Sequence, residues 1–158
     1  MKLAKTIRLD VSDTRVFDRA AEVGECAIAG SFAFVDSVPS DWSNKQQLAF
    51  RTAWLGIGSF GSSTFVQVTE ISTQEYEQIL QTLAVYLTEQ YDAPGQEAAT
   101  RAARRESDDM GALCDHRPGK LLTIERAITG QNITEKIRVL RPSDDPAQVK
   151  MWSVADDD

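Results

Sequence analysis

Patterns typical of β-strands lie at both ends of this chain, and helical patterns lie between them. The strand patterns cover, in chain order, 3–11, 15–19, 24–35, 64–71, 120–129 and 133–141. The last two are joined by Gly130-Gln131-Asn132, which predicts a hairpin because glycine and asparagine accept the positive φ that such turns require. Runs of strands at both ends predict an α+β fold with two layers, in which a mainly antiparallel sheet carries about three helices on one face.

Three segments predict these helices. Ser43 and Ser72 are each followed three residues later by Gln or Glu, the spacing of a capping box, so each predicts a helix start. The first helix is apolar nearly all round, which predicts heavy burial, and Gly56 fits the glycine that often follows a helix. The second helix carries a regular apolar stripe and ends at Asp92-Ala93-Pro94-Gly95. The third, 96–113, is rich in alanine and charge, and we expect it to pack lightly on the outside.

The charge distribution divides the chain in two. The formal net charge is −7, and residues 143–158 contain five aspartates and one lysine, so that short segment carries −4 of the net charge. We therefore predict a single α+β domain over 1–142 and an acidic C-terminal tail over 143–158. The 158 residues are close to the commonest size of one domain. Met151 and Trp152 could dock the tail onto the domain or onto a partner.

Composition also excludes several classes of protein. An acidic balance repels phosphate backbones, so we expect no binding of nucleic acid. No run approaches the roughly 18 apolar residues of a membrane span, and the charged N-terminus lacks the apolar core of a secretory signal, so we expect no membrane attachment. Two cysteines, Cys26 and Cys114, are too few for a disulfide framework. These features predict a cytoplasmic location.

The most distinctive local motif is Cys114-Asp115-His116-Arg117, which contains the only histidine. Cys114 and His116 could supply two zinc ligands, but closing the site needs two more, from Asp115, from Cys26 or from a second subunit. His116 could instead activate Cys114 as a nucleophile. The preferred interpretation is structural, with Cys114 as a small buried residue at a helix end and His116 beside the last carbonyl groups. The four residues 114–117 remain the candidate binding site.

Three further segments have weaker claims to function. The turn 115–119 could present an anion-binding or substrate-contacting loop, or be a solvated Pro-Gly turn. The loop 56–63 has glycines and serines but lacks the Lys-Ser/Thr ending of a phosphate-binding loop, and it lacks the second glycine of a G-x-S-x-G nucleophile turn. We expect it to serve close packing against aromatic residues. A basic stripe on the third helix is interpreted as solvated and paired with nearby acids; its members are Arg101, Arg104 and Arg105.

Three stretches of the chain resemble a known family. They are Thr6-Ile7-Arg8-Leu9-Asp10, residues 60–68 (FGSSTFVQV) and residues 113–119 (LCDHRPG). They are similar to a family of small bacterial proteins known only as a domain of unknown function, and the similarity covers nearly the whole chain apart from the acidic tail. The resemblance brings no assigned site. It implies an accessory role, because such proteins are encoded beside metalloenzyme maturation factors and a biotin/lipoate-ligase-like protein.

No complete catalytic constellation can be assembled from the sequence. We therefore expect a non-enzymatic, cytosolic accessory or protein-interaction module without a cofactor, which binds a protein partner, with a homodimer as one form of that interaction. The acidic tail and the edge of an antiparallel sheet are the expected contact regions. The alternative is a metal- or small-ligand-binding protein, thiol-dependent in one version, that uses Cys114 and His116.

Overall fold

The computed structural model describes residues 1–140, which form one antiparallel sheet of seven strands with four α-helices. The strands are β1 (Lys2–Ile7), β2 (Cys26–Ile28), β3 (Trp54–Gly56), β4 (Ser62–Ser63), β5 (Phe65–Glu70), β6 (Leu121–Thr129) and β7 (Asn132–Leu140). The helices are α1 (Asp13–Val16), α2 (Asn44–Thr52), α3 (Thr73–Tyr91) and α4 (Gln96–Leu113). The strand order is β4-β3-β2-β1-β5-β6-β7. The predicted α+β class with an antiparallel sheet is confirmed.

Strand β1 lies at the centre of the core. Leu3 and Ala4 point to opposite faces of the sheet, and neither exposes more than 1% of its surface. The register aligns very small residues across three strands, because Ala4 lies opposite Ala27, and Ala27 lies opposite Gly56. The longest pairing of the central strands joins β1 to β5 over six residue pairs. The core therefore depends on pairings between segments that are distant in sequence.

Both predicted capping boxes are present. In α2 and in α3, the side chain of the N-cap serine, Ser43 or Ser72, accepts a hydrogen bond from the backbone N–H three residues later. The side chain of that later residue, Gln46 or Glu75, accepts a hydrogen bond from the backbone N–H of the serine. The second and third predicted helices are also confirmed, as α3 and α4. They form a helix hairpin beside β1, to which the Lys5–Glu75 ion pair ties α3 with an Nζ–Oε2 distance of 3.1 Å.

The prediction that α4 packs lightly is wrong. Ala99, Ala103 and Ser107 have no exposed surface, and Met110 exposes only 1%. These residues share one face of the helix at spacings of four, four and three. Their side chains are small, so α4 approaches its neighbours closely and is buried without the wide apolar stripe that sequence patterns usually reveal.

Two strands predicted near the N-terminus are shorter than expected or absent. The first ends at Ile7, and Leu9 and Val11 are exposed. Residues 15–19 are not a strand, because the chain forms the short helix α1 there. The buried Asp13 carboxylate explains this difference: it accepts hydrogen bonds from the backbone N–H and the hydroxyl of Thr64, at 3.2 and 2.6 Å. That long-range anchor has no local sequence signal.

Two boundaries around α2 were also predicted wrongly. The β-region 24–35 is reduced to β2, because Gly30 adopts a left-handed φ of 78° and residues 31–34 continue as a 3₁₀ turn. Helix α2 ends at Thr52, so Gly56 does not follow the helix; it belongs to β3. Pairing of β3 with β2 and β4 overrides the helical pattern of this apolar segment.

The predicted C-terminal hairpin is confirmed up to Leu140. Strands β6 and β7 pair along their whole length, from Thr129 opposite Asn132 to Leu121 opposite Leu140. Gly130 has the positive φ that the turn requires, 64°. The predicted acidic tail 143–158, with Met151 and Trp152, lies outside the described residues.

In the described part of the chain, no helix combines the length and the apolar character needed to cross a bilayer.

Candidate functional site

The turn after α4 separates the residues of the Cys114–Arg117 motif. Cys114 has no exposed surface, whereas Asp115, His116 and Arg117 are exposed. The backbone N–H of Cys114 donates to the carbonyl groups of Met110 and Gly111 at 3.1 Å each, and so closes the helix. The thiol therefore lies in the core and the imidazole side chain lies at the surface.

Two contacts fix the backbone of this turn. The His116 N–H donates to the Cys114 carbonyl at 2.7 Å, and Lys2 Nζ donates to the His116 carbonyl at 2.8 Å. The N–H of Gly119 then donates to the Val68 carbonyl at 2.8 Å and leads into β6. The predicted anion-binding turn 115–119 is thus an exposed connection whose backbone is held by β1 and β5.

The environment of Cys114 favours a neutral thiol. Burial raises its pKa to about 12, and the nearby Cys26 thiol contributes in the same direction. The structure thus places the two cysteines within electrostatic range of each other. Both metal binding and nucleophilic attack require a thiolate, which this environment disfavours. Within residues 1–140, no three His, Cys, Asp or Glu side chains converge in a way that could hold a metal ion.

The loop 56–63 is built around the carboxylate of Glu25. Glu25 Oε1 accepts a hydrogen bond from the Ser59 N–H at 2.8 Å, and Oε2 accepts from the Glu22 N–H at 2.8 Å and from the Ser59 hydroxyl. Gly56 and Gly58 make room for this side chain, since an added Cβ would come within 2.3 and 2.7 Å of its oxygens. Glycines in this loop therefore serve close packing, as predicted, although their partner is a carboxylate rather than an aromatic ring.

Phe60 is the strained residue of the same loop. Its φ is 55°, in the left-handed region that bulky side chains rarely adopt. The ring stacks face to face on Tyr86 of α3, with ring centroids 3.7 Å apart and planes 2° from parallel. Phe60 of this loop therefore packs on Tyr86 of α3, a helix that the sequence did not associate with the loop.

A groove runs along α3 beside this loop. Its larger part has a volume of about 680 Å³ and is lined by Arg19, residues 58–60, Thr82, Val85, Tyr86, Glu89 and Gln90. Its smaller part, about 220 Å³, shares Thr82 and extends past Cys26 to the Lys5–Glu75 ion pair. We call the two parts together the α3 groove.

Cys26, rather than Cys114, borders this groove. It exposes 8% of its surface. Burial raises the pKa of its thiol, and the positive charge of Lys5 opposes that shift. The ammonium of Lys5 is itself paired with Glu75. The narrow end of the groove therefore contains a neutral thiol, that of Cys26, beside the Lys5–Glu75 ion pair, whose two charges compensate each other.

Arg126 is a buried cation on the other side of the molecule. It exposes 4% of its surface, and burial lowers its pKa to about 10. Its guanidinium donates to the carbonyl groups of Phe50, at 2.8 Å, and Ala29, and its Nε donates to the Ser31 hydroxyl at 2.6 Å. Because β6 stands three positions from β2 in the sheet, these bonds require the sheet to curl. Arg126 therefore ties the β6–β7 hairpin to the rest of the fold.

The far side of β7 is the outer edge of the β6–β7 hairpin. β7 is the last strand of the sheet, and no segment of 1–140 pairs with its far side. Its nine residues are exposed or half-buried.

The basic stripe of α4 is solvated, as predicted, and Arg101 pairs with Glu97 at 3.3 Å.

Sequence reasoning did not identify Glu25, Phe60 or Arg126. Each depends on contacts across 26 or more positions, to Ser59, Tyr86 or Phe50 and Ala29, which no local pattern reveals. A partial signal exists for Arg126, which interrupts the apolar side of β6 after Leu122 and Ile124. A cation on the core face of a strand indicates either a buried partner or a functional role.

Comparison with known proteins identifies a family. The model of the Family of unknown function (DUF6505) matches residues 1–157. No curated protein and no solved structure gives a significant match. The resemblance seen in residues 6–10, 60–68 and 113–119 is thereby confirmed, and the match also covers most of the segment 143–158, which the resemblance had left out. The chain belongs to the Family of unknown function (DUF6505).

Proposed function

We propose that this protein is a non-enzymatic accessory module of the cytoplasm that binds a protein partner along the outer edge of β7. The observation that carries the proposal is the nine-residue edge, which lacks a neighbour within residues 1–140. Such an edge presents backbone donors and acceptors that an extended segment of another protein can pair with. The resemblance to small bacterial accessory proteins adds metalloenzyme maturation as the setting. The proposal involves no cofactor, nucleic acid or membrane.

The two faces of β7 define the chemistry of this partner. Ile137 and Val139 pack against the hydrophobic core, whereas Lys136 and Arg138 alternate with them on the exposed face. A strand added to β7 would continue both faces. We therefore expect a partner segment with apolar residues on one side and acidic residues on the other, because opposite charges across neighbouring strands are favourable.

In four registers, a second copy of the chain would place like charges opposite each other on this edge. In an antiparallel pair related by a two-fold axis perpendicular to the sheet, one residue at the centre faces its own copy. Centring the pair on Glu135, Lys136 or Arg138 places like charges opposite each other, and centring it on Ile137 places Lys136 opposite Arg138. Like charges directly opposite are destabilising. The homodimer considered from the sequence is therefore disfavoured in these four registers.

Site-specific photocrosslinking in cells that naturally produce the protein tests the proposal. A photoreactive amino acid replaces the exposed Thr134 on β7 or, as the matched control, the exposed Lys45 on α2. We expect one protein to crosslink from position 134 and not from position 45. The charge-reversed variant Lys136→Glu should lose that crosslink, whereas Lys45→Glu should keep it. Crosslinks that are equal from both positions, or that survive Lys136→Glu, would contradict the proposal.

The alternative function is metal or small-ligand binding that depends on Cys114 and His116. Burial of the thiol and exposure of the imidazole weigh against it. Metal analysis of protein purified without an affinity tag tests this alternative. Stoichiometric metal that disappears in Cys114→Ser would support it. Metal-free protein whose ligand binding and activity are unchanged in Cys114→Ser would remove it.

The finer architecture expected from the sequence, two layers with about three helices on one face, stays a prediction. It suits the proposal, because helices placed on a face leave the β7 edge accessible. Surface labelling of the helices and of β7 in solution would test it.

A further inference from the structure

We propose that the wide part of the α3 groove binds a small aromatic zwitterion, a molecule with the chemistry of a free aromatic amino acid. This site is separate from the β7 edge and goes beyond the proposed partner binding. It rests on three features of the groove: its shape, its two unpaired charges and the strain in one of its walls.

The shape suits a flat organic molecule. The volume of about 680 Å³ falls in the range of small-molecule sites, roughly 300–1,000 Å³. The stacked rings of Phe60 and Tyr86 form an aromatic wall, and the exposed side chain of Val85 continues it. Aromatic side chains favour offset or edge contact with a further ring. The groove therefore offers an apolar surface for a ring, open to solvent on one side.

The charges on the groove fall into two groups. Glu25 accepts three hydrogen bonds, and Lys5 pairs with Glu75, so these three groups are already satisfied. Arg19 and Glu89 differ, because neither forms an ion pair within residues 1–140. Within residues 1–140, the only hydrogen bond of the Arg19 side chain is to the Ser59 carbonyl, at 3.2 Å. One cation and one anion are thus available beside the aromatic wall.

These two charges select the ligand class. A carboxylate on the ligand would pair with the Arg19 guanidinium, which matches carboxylate geometry well, and an ammonium would pair with Glu89. A ligand with both groups and a ring satisfies all three features. A simple anion, a simple cation or an uncharged ring satisfies only part of them.

The backbone strain at Phe60 indicates that the fold holds the aromatic wall in place at a cost in conformational energy. Backbone strain at a bulky residue persists only where the surroundings impose it, and it concentrates at ligand sites. Here the surroundings are the Glu25 carboxylate and the contacts of Gly61, where an added Cβ would come within 2.5 Å of the Ala20 backbone. The fold thereby holds the Phe60 ring flat on Tyr86 at the mouth of the groove.

Calorimetric titration with three indoles tests the proposal. The probes are L-tryptophan, tryptamine, which lacks the carboxylate, and indole-3-propionate, which lacks the ammonium. We expect L-tryptophan to bind and each of the other two to bind about tenfold more weakly, the loss of one charged hydrogen-bonded contact. Failure of L-tryptophan to bind at millimolar concentration, or equal binding of all three probes, would overturn the proposal.

Variants then assign the two charges. Glu89→Gln should weaken the binding of L-tryptophan and of tryptamine about tenfold and leave the binding of indole-3-propionate unchanged. Arg19→Gln should weaken the binding of L-tryptophan and of indole-3-propionate about tenfold and leave the binding of tryptamine unchanged. Glu77→Gln, on an exposed part of α3 outside the groove, is the matched control and should change nothing. All three are surface substitutions, so folding is not at risk. Equal effects of Glu89→Gln and Glu77→Gln would overturn the assignment, whatever the crosslinking at β7 shows.

Discussion

The two edges of the sheet are protected in opposite ways. β4 has only two residues, and the segment before β2 covers it: Ala20 forms a parallel bridge with Ser62, and the Ser62 N–H donates to the Arg19 carbonyl at 2.8 Å. β7 has nine residues and no such cover within 1–140. The long edge carries Lys136 and Arg138 instead, and charges on an edge discourage uncontrolled pairing. One edge of the sheet is therefore covered by another segment of the chain, whereas the charges on the other edge discourage pairing with unsuitable strands.

The two sides also depend on different anchors. The covered edge contains the α3 groove, which the Glu25 carboxylate organises. The open edge depends on Arg126, which holds the β6–β7 hairpin against the turn after β2 and the end of α2. A substitution on one side should therefore leave the other side largely intact.

The largest effect is expected at Arg126. Arg126→Met fills similar space but leaves the carbonyl groups of Ala29 and Phe50 and the Ser31 hydroxyl without their donor, which should cost about 3 kcal/mol. Urea denaturation followed by circular dichroism measures the loss. Arg138→Met, which removes only an exposed ion pair to Glu125, should cost less than about 1 kcal/mol. Equal losses would show that Arg126 is not the anchor of the open edge.

The hairpin turn should give the next largest effect. Gly130 has a φ of 64° with open space around it, so Gly130→Ala should destabilise the protein by about 1 kcal/mol through backbone strain alone. Gly111→Ala in α4 is the matched control. Its Cβ would meet the Lys2 carbonyl oxygen at an ordinary 3.6 Å, and alanine favours helix, so stability should stay equal or rise by up to about 1 kcal/mol. Thermal unfolding of both variants checks the signs, and a loss in both would contradict this account.

A smaller, pH-dependent effect is expected at Glu106 on α4, which lies within electrostatic range of Glu135 on β7. Desolvation raises the pKa of Glu106, and the negative charges of Asp109 and Glu135 add to the shift. The folded state therefore binds this proton more tightly than the unfolded state does, so Glu106 lowers stability as pH rises above its ordinary pKa of 4.5. Glu106→Gln should raise the melting temperature at pH 7, and the gain should vanish at pH 4. A gain that persists at pH 4 would refute the electrostatic cause, and Glu77→Gln provides the control.

The two cysteines should differ in rate of reaction rather than in stability. Cys26 borders the α3 groove, whereas Cys114 is fully buried with a pKa raised to about 12. Iodoacetamide should therefore label Cys26 slowly and Cys114 only when the protein unfolds. Peptide mass spectrometry in native buffer and in urea measures both rates. Native labelling of Cys114 faster than Cys26 would indicate an activated thiol and revive the Cys114–His116 site.

Local patterns were sufficient to predict the elements whose stability is local. The capping boxes at Ser43 and Ser72 and the turn at Gly130 were found correctly because the residues that form them lie within a few positions of one another. β3 was taken for helix because its pairing partners lie 27 to 29 positions away in β2 or on the far side of a loop in β4. Long-range pairing overrides the pattern of such a short apolar segment.

The candidate site followed the same rule. The motif at Cys114 was conspicuous because its residues are adjacent in sequence. In the turn after α4, however, the Cys114 thiol points into the core and His116 is exposed. The α3 groove joins Arg19, Phe60 and Glu89, which are separated by about 30 to 40 positions each. Only the antiparallel topology brings such distant residues to one place, so no single-sequence pattern could predict them.

The most direct test of the central claim is hydrogen exchange of the nine β7 amides, measured by NMR on the free full-length protein. In an antiparallel edge strand, every second N–H points to the neighbouring strand and the others point outward. If β7 is an open edge, protection should alternate from Asn132 to Leu140, with the outward amides exchanging nearly as fast as in an unfolded chain. Uniform protection of all nine would show that the edge is already covered, and it would contradict the account.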